Sequence, residues 1–233
     1  MLGRLKFYVL GSSVLAAAAF ALGGCQTKPA TPPGVTASVE VGPPSKTQQW
    51  QQIATDADED RIARLGLAWS EGLAEANKSN SREVRAEGDL LLPRSALERP
   101  DPTPGSYNCR LIKIGRAGPK TRSFESFKPF FCYVEVEDGL LTITKQTGSQ
   151  RPAGRLWEDD DAKRLVFLGS LAKGEEDKTL AYGDDHARDL AGVVERIAPF
   201  KWRLVLPWPQ DNAKLEVYEL TPVNFTNQPS GRD

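Results

Sequence analysis

The alternation of apolar and polar residues that begins at Gly105 limits the possible folds more than any other feature of the chain. Tyr107, Cys109 and Leu111 alternate with polar neighbours, which is the period of a half-buried β-strand. Asp138-Gly139 is a strong hairpin signal. The pattern predicts about eight antiparallel strands, near residues 107–114, 132–137, 141–144, 153–157, 164–169, 191–197, 201–206 and 214–220. Such a meander is predicted to be a closed or nearly closed barrel, because closure removes exposed strand edges.

A helical period precedes these strands. Apolar residues at steps of three and four predict one stripe of an amphipathic helix over about residues 55–78: Ile62, Leu65, Trp69, Leu73 and Ala76. Thr55 or Asp56 can cap this helix, so the acidic residues that follow indicate a helix start rather than a metal site. A weaker helical stretch covers 82–92 and stops at Pro93. We therefore predict an α+β, mainly β protein in which an N-terminal amphipathic helix packs on an antiparallel sheet.

The beginning of the chain has the pattern of a secretion signal. Arg4 and Lys6 precede an apolar run over 7–22, and Leu22-Gly23-Gly24-Cys25 follows. This tetrapeptide resembles the lipobox of bacterial lipoprotein signal peptides, in which the cysteine receives diacylglycerol and the chain is cut just before it. The resemblance implies a signal peptide over 1–24 and a membrane partner reached through lipid on Cys25.

The residues after Cys25 indicate where the chain works and how it is divided. In lipoprotein sorting of the familiar enterobacterial kind, an aspartate after the cysteine favours the inner membrane; Gln26 stands there, which favours an outer-membrane anchor facing the periplasm. The segment 25–49 is rich in Pro, Thr, Ser and Gly, a composition that predicts a disordered tether. A helical segment over 50–100, a β-rich domain over 101–222 and a polar tail over 223–233 follow.

Charge and cysteine count restrict the function further. The formal net charge is −1, which disfavours nucleic acid as a partner because phosphate binding needs a basic excess. If Cys25 carries lipid, Cys109 and Cys132 remain as an even pair in a compartment that permits disulfides. We expect a bridge between them; two buried free thiols are the alternative.

Three segments carry a family resemblance: GSYNCRLIKIG over 105–115, AGVVERI over 191–197 and WRLVLP over 202–207. From Trp50 to about Pro222 the chain resembles an uncharacterised exported bacterial family described as a domain of unknown function, family number 4893. The resemblance implies a helical segment before a β-rich domain and an exported location, and it implies no known activity. A looser likeness, through the Gly105-Ser106-Tyr107 start, is to small lipocalin-like barrels that include periplasmic inhibitors of secreted proteases. The cysteine spacing here is wider than in those inhibitors.

No catalytic constellation stands out in the sequence. His186 is the one histidine; with Asp184 and Asp185 beside it a dyad is conceivable, but a polar loop is the commoner meaning of such a run. No Gly-x-Ser-x-Gly motif is present. The carboxylates of 158–161 are contiguous, which is typical of a polar hairpin tip rather than a calcium loop. We therefore predict no catalytic residues, no metal site and no cofactor.

A basic stretch rich in phenylalanine is the remaining surface feature. Its cations precede and surround a single acid, Glu125: Arg110, Lys113, Arg116, Lys120, Arg122 and Lys128. It could meet an anionic envelope surface or a protein partner, while a solvated loop with buried aromatic rings is the commoner arrangement. Trp157, Trp202 and Trp208 are interpreted as packing residues with no site role.

Three hypotheses for function follow. The leading one is a non-enzymatic, membrane-anchored envelope lipoprotein that acts as a binding or structural module for a small ligand or an envelope protein. The alternatives are an inhibitor-like barrel that acts on a secreted hydrolase, and an envelope hydrolase that uses acidic residues or His186.

Overall fold

A mainly β fold with a few helices is seen in the computed structural model, which describes residues 45–174, 176, 178–210 and 213–223. The helices are α1 Lys46–Gln51, α2 Asp56–Ala63, α3 Leu65–Ala86 and a 3-10 helix Gly88–Leu91. The strands are β1 Gly105–Arg116, β2 Phe124–Ser126, β3 Phe130–Glu137, β4 Leu140–Lys145, β5 Gln150–Glu158, β6 Arg164–Lys173, β7 Asp189–Ala198, β8 Lys201–Pro207 and β9 Ala213–Pro222.

Pairing of the first strand with the last closes an eight-stranded antiparallel barrel. Each of β3 to β9 pairs with its sequence neighbour, and β1 pairs with β9 from Tyr107 opposite Pro222 to Arg116 opposite Ala213. The other edge of β1 is shared, because β3 pairs with its first half and the short β2 with its second half. The predicted meander and its closure are confirmed, and β2 is an element that the alternation did not predict.

Side chains fill the interior of the barrel. Tyr107 and Trp202 meet edge to face with ring centroids 6.0 Å apart, and Phe167 from β6 is fully buried. Gly154 is required beside it, since a Cβ there would lie 2.7 Å from the Phe167 ring and 2.6 Å from Gly169 Cα. The barrel therefore has a packed core rather than the open cavity of a ligand-carrying barrel. Leucine, valine and isoleucine complete that core: Leu111, Val134, Ile143, Leu156, Leu165, Leu171, Leu190, Val194, Leu204, Leu206 and Leu220.

A second apolar layer lies between the helices and the outer face of the barrel. The predicted helical stripe is buried here, with Trp69 3 % exposed and Ala76 fully buried. It packs against outward-facing residues of β1 and β6 to β9, so these strands are buried on both faces: Ile112, Ile114, Val166, Leu168, Ala191, Val193, Ile197, Val205, Leu215 and Val217. Of the described residues on the outer faces of β3, β4 and β5, Trp157 of β5 alone packs against this cluster.

The helix boundaries differ from the predicted ones. The predicted single helix is divided into α2 and α3, because the chain leaves helical geometry at Arg64. α3 then continues to Ala86 through a kink at Asn80 (φ −130°, ψ 31°). Residues 46–49, which were assigned to the tether, are helical because Ser45 and Gln48 form a capping box. Within the described ranges, none of the helices has the length and apolar character needed to cross a membrane.

Candidate functional site

A buried arginine joins the helical segment to the barrel. Arg203 of β8 is 0 % exposed and lies opposite Glu195 of β7, which accepts a 2.7 Å hydrogen bond from its Nε. The guanidinium also covers the Trp69 ring, 4.8 Å from its centroid. Burial lowers the pKa of Arg203, and the Glu195 carboxylate opposes that change. Its remaining donors bind backbone carbonyls around the end of the 3-10 helix, those of Asp89, Leu90, Leu92 and Pro93.

The acidic run over 158–161 is structural. Asp159 accepts hydrogen bonds from Thr47 Oγ1 and Arg164 Nε, each at 2.5 Å, and from Trp50 Nε1 at 3.4 Å. Burial would raise the pKa of Asp159, but these hydrogen bonds outweigh burial and the pKa lies below its ordinary value. The run therefore attaches α1 to the turn between β5 and β6. Within the described ranges, no group of three histidine, cysteine or acidic side chains is placed to hold a metal ion.

The predicted cysteine pair is bridged. Cys109 and Cys132 form a disulfide between β1 and β3, with Cα atoms 5.9 Å apart, and both residues are buried in the barrel interior. The predicted lipidation site, Cys25, lies outside the described residues, as do the signal peptide and the start of the tether. The disulfide is a structural cross-link of the barrel and is not accessible to a ligand.

His186 does form a dyad, with an aspartate three residues later. Its Nδ1 lies 2.8 Å from Asp189 Oδ2, and Asp189 Oδ1 accepts a hydrogen bond from Gly183 N. The histidine side chain is 73 % exposed, whereas that of Asp189 is 4 % exposed. Ser170 lies opposite Asp189 in register, but it is 0 % exposed. A nucleophile must reach its substrate, so Ser170 does not complete a triad.

The basic stretch is not one continuous patch. Arg110 binds Glu87 and Glu219, and Lys113 points into the barrel, where its Nζ lies 2.6 Å from Glu216 Oε1. The other cations of the stretch are on the surface, at Arg116, Lys120, Arg122 and Lys128. Its phenylalanines divide in the same way, with Phe124 and Phe130 packed against apolar clusters and Phe127 and Phe131 more exposed.

A polar cavity of about 770 Å³ opens at the barrel end formed by the β4–β5 turn and the segment after β6. We name it the rim cleft. It is lined by Thr144, Lys145, Gln146, Gly148, Ser149, Arg151, Gly174, Glu176 and Thr179.

Two cations dominate the rim cleft. Lys145 Nζ donates one hydrogen bond, to Gln150 O at 2.8 Å, and lies 4.3 Å from the centroid of the Phe130 ring. Burial lowers the pKa of Lys145. Glu216 partly opposes this change, and the neighbouring cations Lys113 and Arg151 lower the pKa further. Arg151 donates to carbonyls of Gly148, Gly174 and Glu176 and so ties the two walls together. Neither cation has a carboxylate within 4.0 Å in the described part of the chain.

The one described acid of the rim cleft is already paired. Glu176 accepts hydrogen bonds from Arg188 at 2.7 and 2.9 Å. A backbone hydrogen bond from Lys173 and the Arg188 guanidinium lower the pKa of Glu176. The charge of Glu176 is thus balanced by Arg188 and not by Lys145 or Arg151. The described lining of the rim cleft therefore favours an anion.

A second cavity of about 490 Å³, the side groove, adjoins the rim cleft, since Thr144 and Thr179 line both. It lies on the outer face of β4 to β6, beside the segment 178–182 and Ile53. Much of its lining is apolar, with Ile53 48 % and Leu180 41 % exposed. The lining also includes Glu137, Thr142, Ala153, Gly154, Arg155, Trp157, Leu168, Gly169, Lys178, Ala181 and Tyr182.

A hydrogen-bonded pair fixes one end of the side groove. Tyr182 donates its hydroxyl hydrogen to Asp58 Oδ2, and the same hydroxyl oxygen accepts a 3.0 Å hydrogen bond from Thr55 N. Burial, followed by the Asp58 carboxylate, raises the pKa of Tyr182 to about 12. The segment after β6 is therefore attached to the start of α2, which keeps the side groove open beside the barrel.

Comparison with protein families gives one finding. The profile of DUF4893, a domain of unknown function, matches residues 50–220. The chain therefore belongs to the DUF4893 family. Neither the curated proteins nor the solved structures contain a match. The predicted family resemblance is thus confirmed, and the looser likeness to lipocalin-like barrels extends to a closed eight-stranded barrel.

The DUF4893 match includes every residue of the rim cleft and side groove, yet the sequence pattern identified neither cavity. Lys145 has the same parity as Ile143 and so belongs to the inner face of β4, at its last position. That parity could have placed it at the barrel mouth. Trp157 was interpreted as packing; it does pack against the helices, and it also lines the side groove.

Proposed function

We propose that this DUF4893 protein is an envelope lipoprotein, anchored through Cys25, whose barrel is a binding module for an anionic amphiphile. Its anionic group binds at Lys145 and Arg151 in the rim cleft, and its apolar part lies in the side groove. The proposal is carried by the adjacency of these two cavities on a barrel whose interior is filled.

Lys145 supplies the strongest support for an anionic ligand group. An ammonium has three donors, and in the described part of the chain Lys145 uses one of them in a hydrogen bond. Its other donors face a cavity that also contains the Arg151 guanidinium. A charge-assisted hydrogen bond to a partly desolvated ammonium is stronger than one between neutral groups.

The side groove supports an apolar ligand part. Ile53 and Leu180 expose close to half of their surface at its edge, and burying apolar surface stabilises a complex by roughly 25 cal/mol per Å². The two cavities together favour a molecule with both an anionic group and an apolar chain over a molecule with only one of them.

Three probes test the proposal by isothermal titration calorimetry below micelle-forming concentrations. Dodecyl phosphate has both ligand parts, inorganic phosphate has the anion alone, and dodecyl maltoside has the chain without charge. We expect dodecyl phosphate to bind at least tenfold more tightly than the other two. Equal affinity for dodecyl phosphate and dodecyl maltoside would contradict a role for the cations.

Matched variants locate the binding site. Lys145→Gln removes the half-buried charge, and Ala153→Arg fills the floor of the side groove. Lys163→Gln, at the opposite end of the barrel, and Ala86→Arg, at the exposed end of α3, are the controls. The proposal requires that the first two variants weaken dodecyl phosphate binding at least fivefold and that the controls do not; equal losses in all four would contradict it.

The His186–Asp189 dyad favours a second candidate function, hydrolysis by a water molecule that His186 activates. A buried aspartate that orients an exposed imidazole is the arrangement of a general base. Its test is the hydrolysis of a panel of nitrophenyl esters by the wild-type protein and by His186→Asn. Turnover that is absent, or equal in the two proteins, would exclude this candidate.

A further inference from the structure

A separate basic pocket lies on the side of the barrel that carries α3. Its position depends on a close approach of two glycines, because a Cβ at Gly115 (φ +75°) would lie 2.9 Å from Gly72 Cα. With no side chain on either residue, α3 packs directly on the end of β1. Glu75 and Lys78 of α3 are thereby brought beside Arg116, the last residue of β1.

The pocket has a volume of about 410 Å³ and is lined by three cations and one acid. The cations come from three elements: Lys78 from α3, Arg116 from β1 and Lys214 from β9. The acid, Glu75, accepts a 2.6 Å hydrogen bond from the backbone N–H of Arg116. Its carboxylate therefore fixes the backbone of the strand end rather than binding a cationic side chain.

The three cations differ in whether an acidic side chain forms an ion pair with them. Lys214 Nζ lies 3.4 Å from Glu71 Oε2, and the aliphatic part of Lys214 packs over Gly115, within 2.6 Å of the position that a Cβ would occupy. Lys78 and Arg116 are exposed and have no ion pair within the described ranges. Two unmatched cations and one partly matched cation therefore converge on one pocket.

We propose that this pocket binds the phosphate of an anionic phospholipid headgroup and docks the barrel on a membrane surface. The loop after β1 carries two further exposed cations, Lys120 and Arg122. Arg122 is weakly paired, because its Nη1 lies 3.9 Å from Glu125 Oε1. A free phosphate would contact the pocket alone, whereas a lipid surface contacts the pocket and the loop together. The observations favour the lipid surface, and this inference is independent of the rim cleft.

Competition between two vesicle populations tests the proposal on the full-length protein. Sucrose-loaded vesicles of phosphatidylcholine with 30 % phosphatidylglycerol compete with unloaded phosphatidylcholine vesicles, and centrifugation separates them. The equilibrium ratio of protein on the two populations is measured. Any contribution of the N-terminal segment is the same in every variant, so differences between variants report on the described surface.

The test variant is Lys78→Gln with Arg116→Gln, and its control is Arg94→Gln with Lys163→Gln, which removes the same charge elsewhere. An exposed cation near an anionic membrane contributes roughly fivefold to binding, so the test variant should lose about 25-fold in its preference for phosphatidylglycerol. The control should keep most of that preference. The mutated side chains are exposed and make no hydrogen bond to the described part of the chain, and an unchanged melting temperature would verify folding.

Three results would overturn the proposal. The first is a wild-type protein with no preference for phosphatidylglycerol. The second is an equal loss in the test and control variants, which would show an effect of net charge alone. The third is tight binding of inorganic pyrophosphate without vesicle preference, which would identify the pocket as a site for a free phosphate.

Discussion

Replacing Arg203 by methionine should destabilise the protein more than any surface change. The substitution keeps an unbranched apolar stem but removes the guanidinium, so that Glu195 is buried without its cation and four backbone carbonyls lose a donor. Removing one partner of a buried ion pair costs about 3–5 kcal/mol. That is a large part of the roughly 5–15 kcal/mol by which a domain is stable.

Urea unfolding followed by tryptophan fluorescence measures this loss. With a denaturant slope of about 2 kcal/mol per molar, a loss of about 4 kcal/mol moves the unfolding midpoint down by about 2 M. Arg196→Met is the matched control, because Arg196 also donates to a backbone carbonyl, that of Glu98, but at the surface. Its midpoint should move by less than about 0.5 M.

A second substitution separates the charge from the packing. Adding Glu195→Gln to Arg203→Met removes the unpaired carboxylate, so the double variant should regain part of the lost stability. If Arg203→Met unfolds at the same urea concentration as Arg196→Met, Arg203 does not hold the helical segment on the barrel.

Three further predictions concern the disulfide, Asp159 and the lipid anchor. Reduction of the Cys109–Cys132 bridge, or its replacement by two serines, should destabilise the barrel by roughly 3 kcal/mol on the chain-entropy account, as the urea midpoint with and without reductant would show. The pKa of Asp159 is lowered in the folded protein, so its stabilising effect is present above the unfolded value of 3.8 and disappears as pH falls further; Asp159→Asn should weaken the protein at pH 7 and flatten its stability profile below pH 4. Cys25→Ser should abolish incorporation of radiolabelled palmitate into the protein, and unchanged incorporation would argue against a lipid anchor.

Local patterns predicted the barrel because its signals are local. Alternation, hairpin residues and the even cysteine pair each act over a few residues or between neighbouring strands, and Cys109 and Cys132 lie on adjacent strands. The amphipathic stripe of α2 and α3 was equally readable. The continuous apolar run over 165–168 in β6 is typical of a strand buried on both faces. Which element covers the second face was not readable, because the helices lie about a hundred positions earlier in the chain.

The polar links and the cavities depend on distant parts of the chain. Arg203 alternates with the apolar residues of β8 and so has the pattern of a solvated residue, but carbonyls more than a hundred positions earlier surround it. The rim cleft likewise requires the turn after β4 and the segment after β6 to meet. The spacing of residues in the sequence carries no information on contacts between such distant segments.

The location of a bound amphiphile tests the central claim most directly, that the barrel binds the apolar part of its ligand on its outer face and not in its interior. Methyl-labelled protein would be titrated with dodecyl phosphate, and nuclear Overhauser effects between the chain of the probe and protein methyl groups would be recorded. The account predicts contacts with Ile53, Leu168 and Leu180 around the side groove. Contacts instead with Leu156, Val194 or Leu204 would place the ligand inside the barrel and contradict the account.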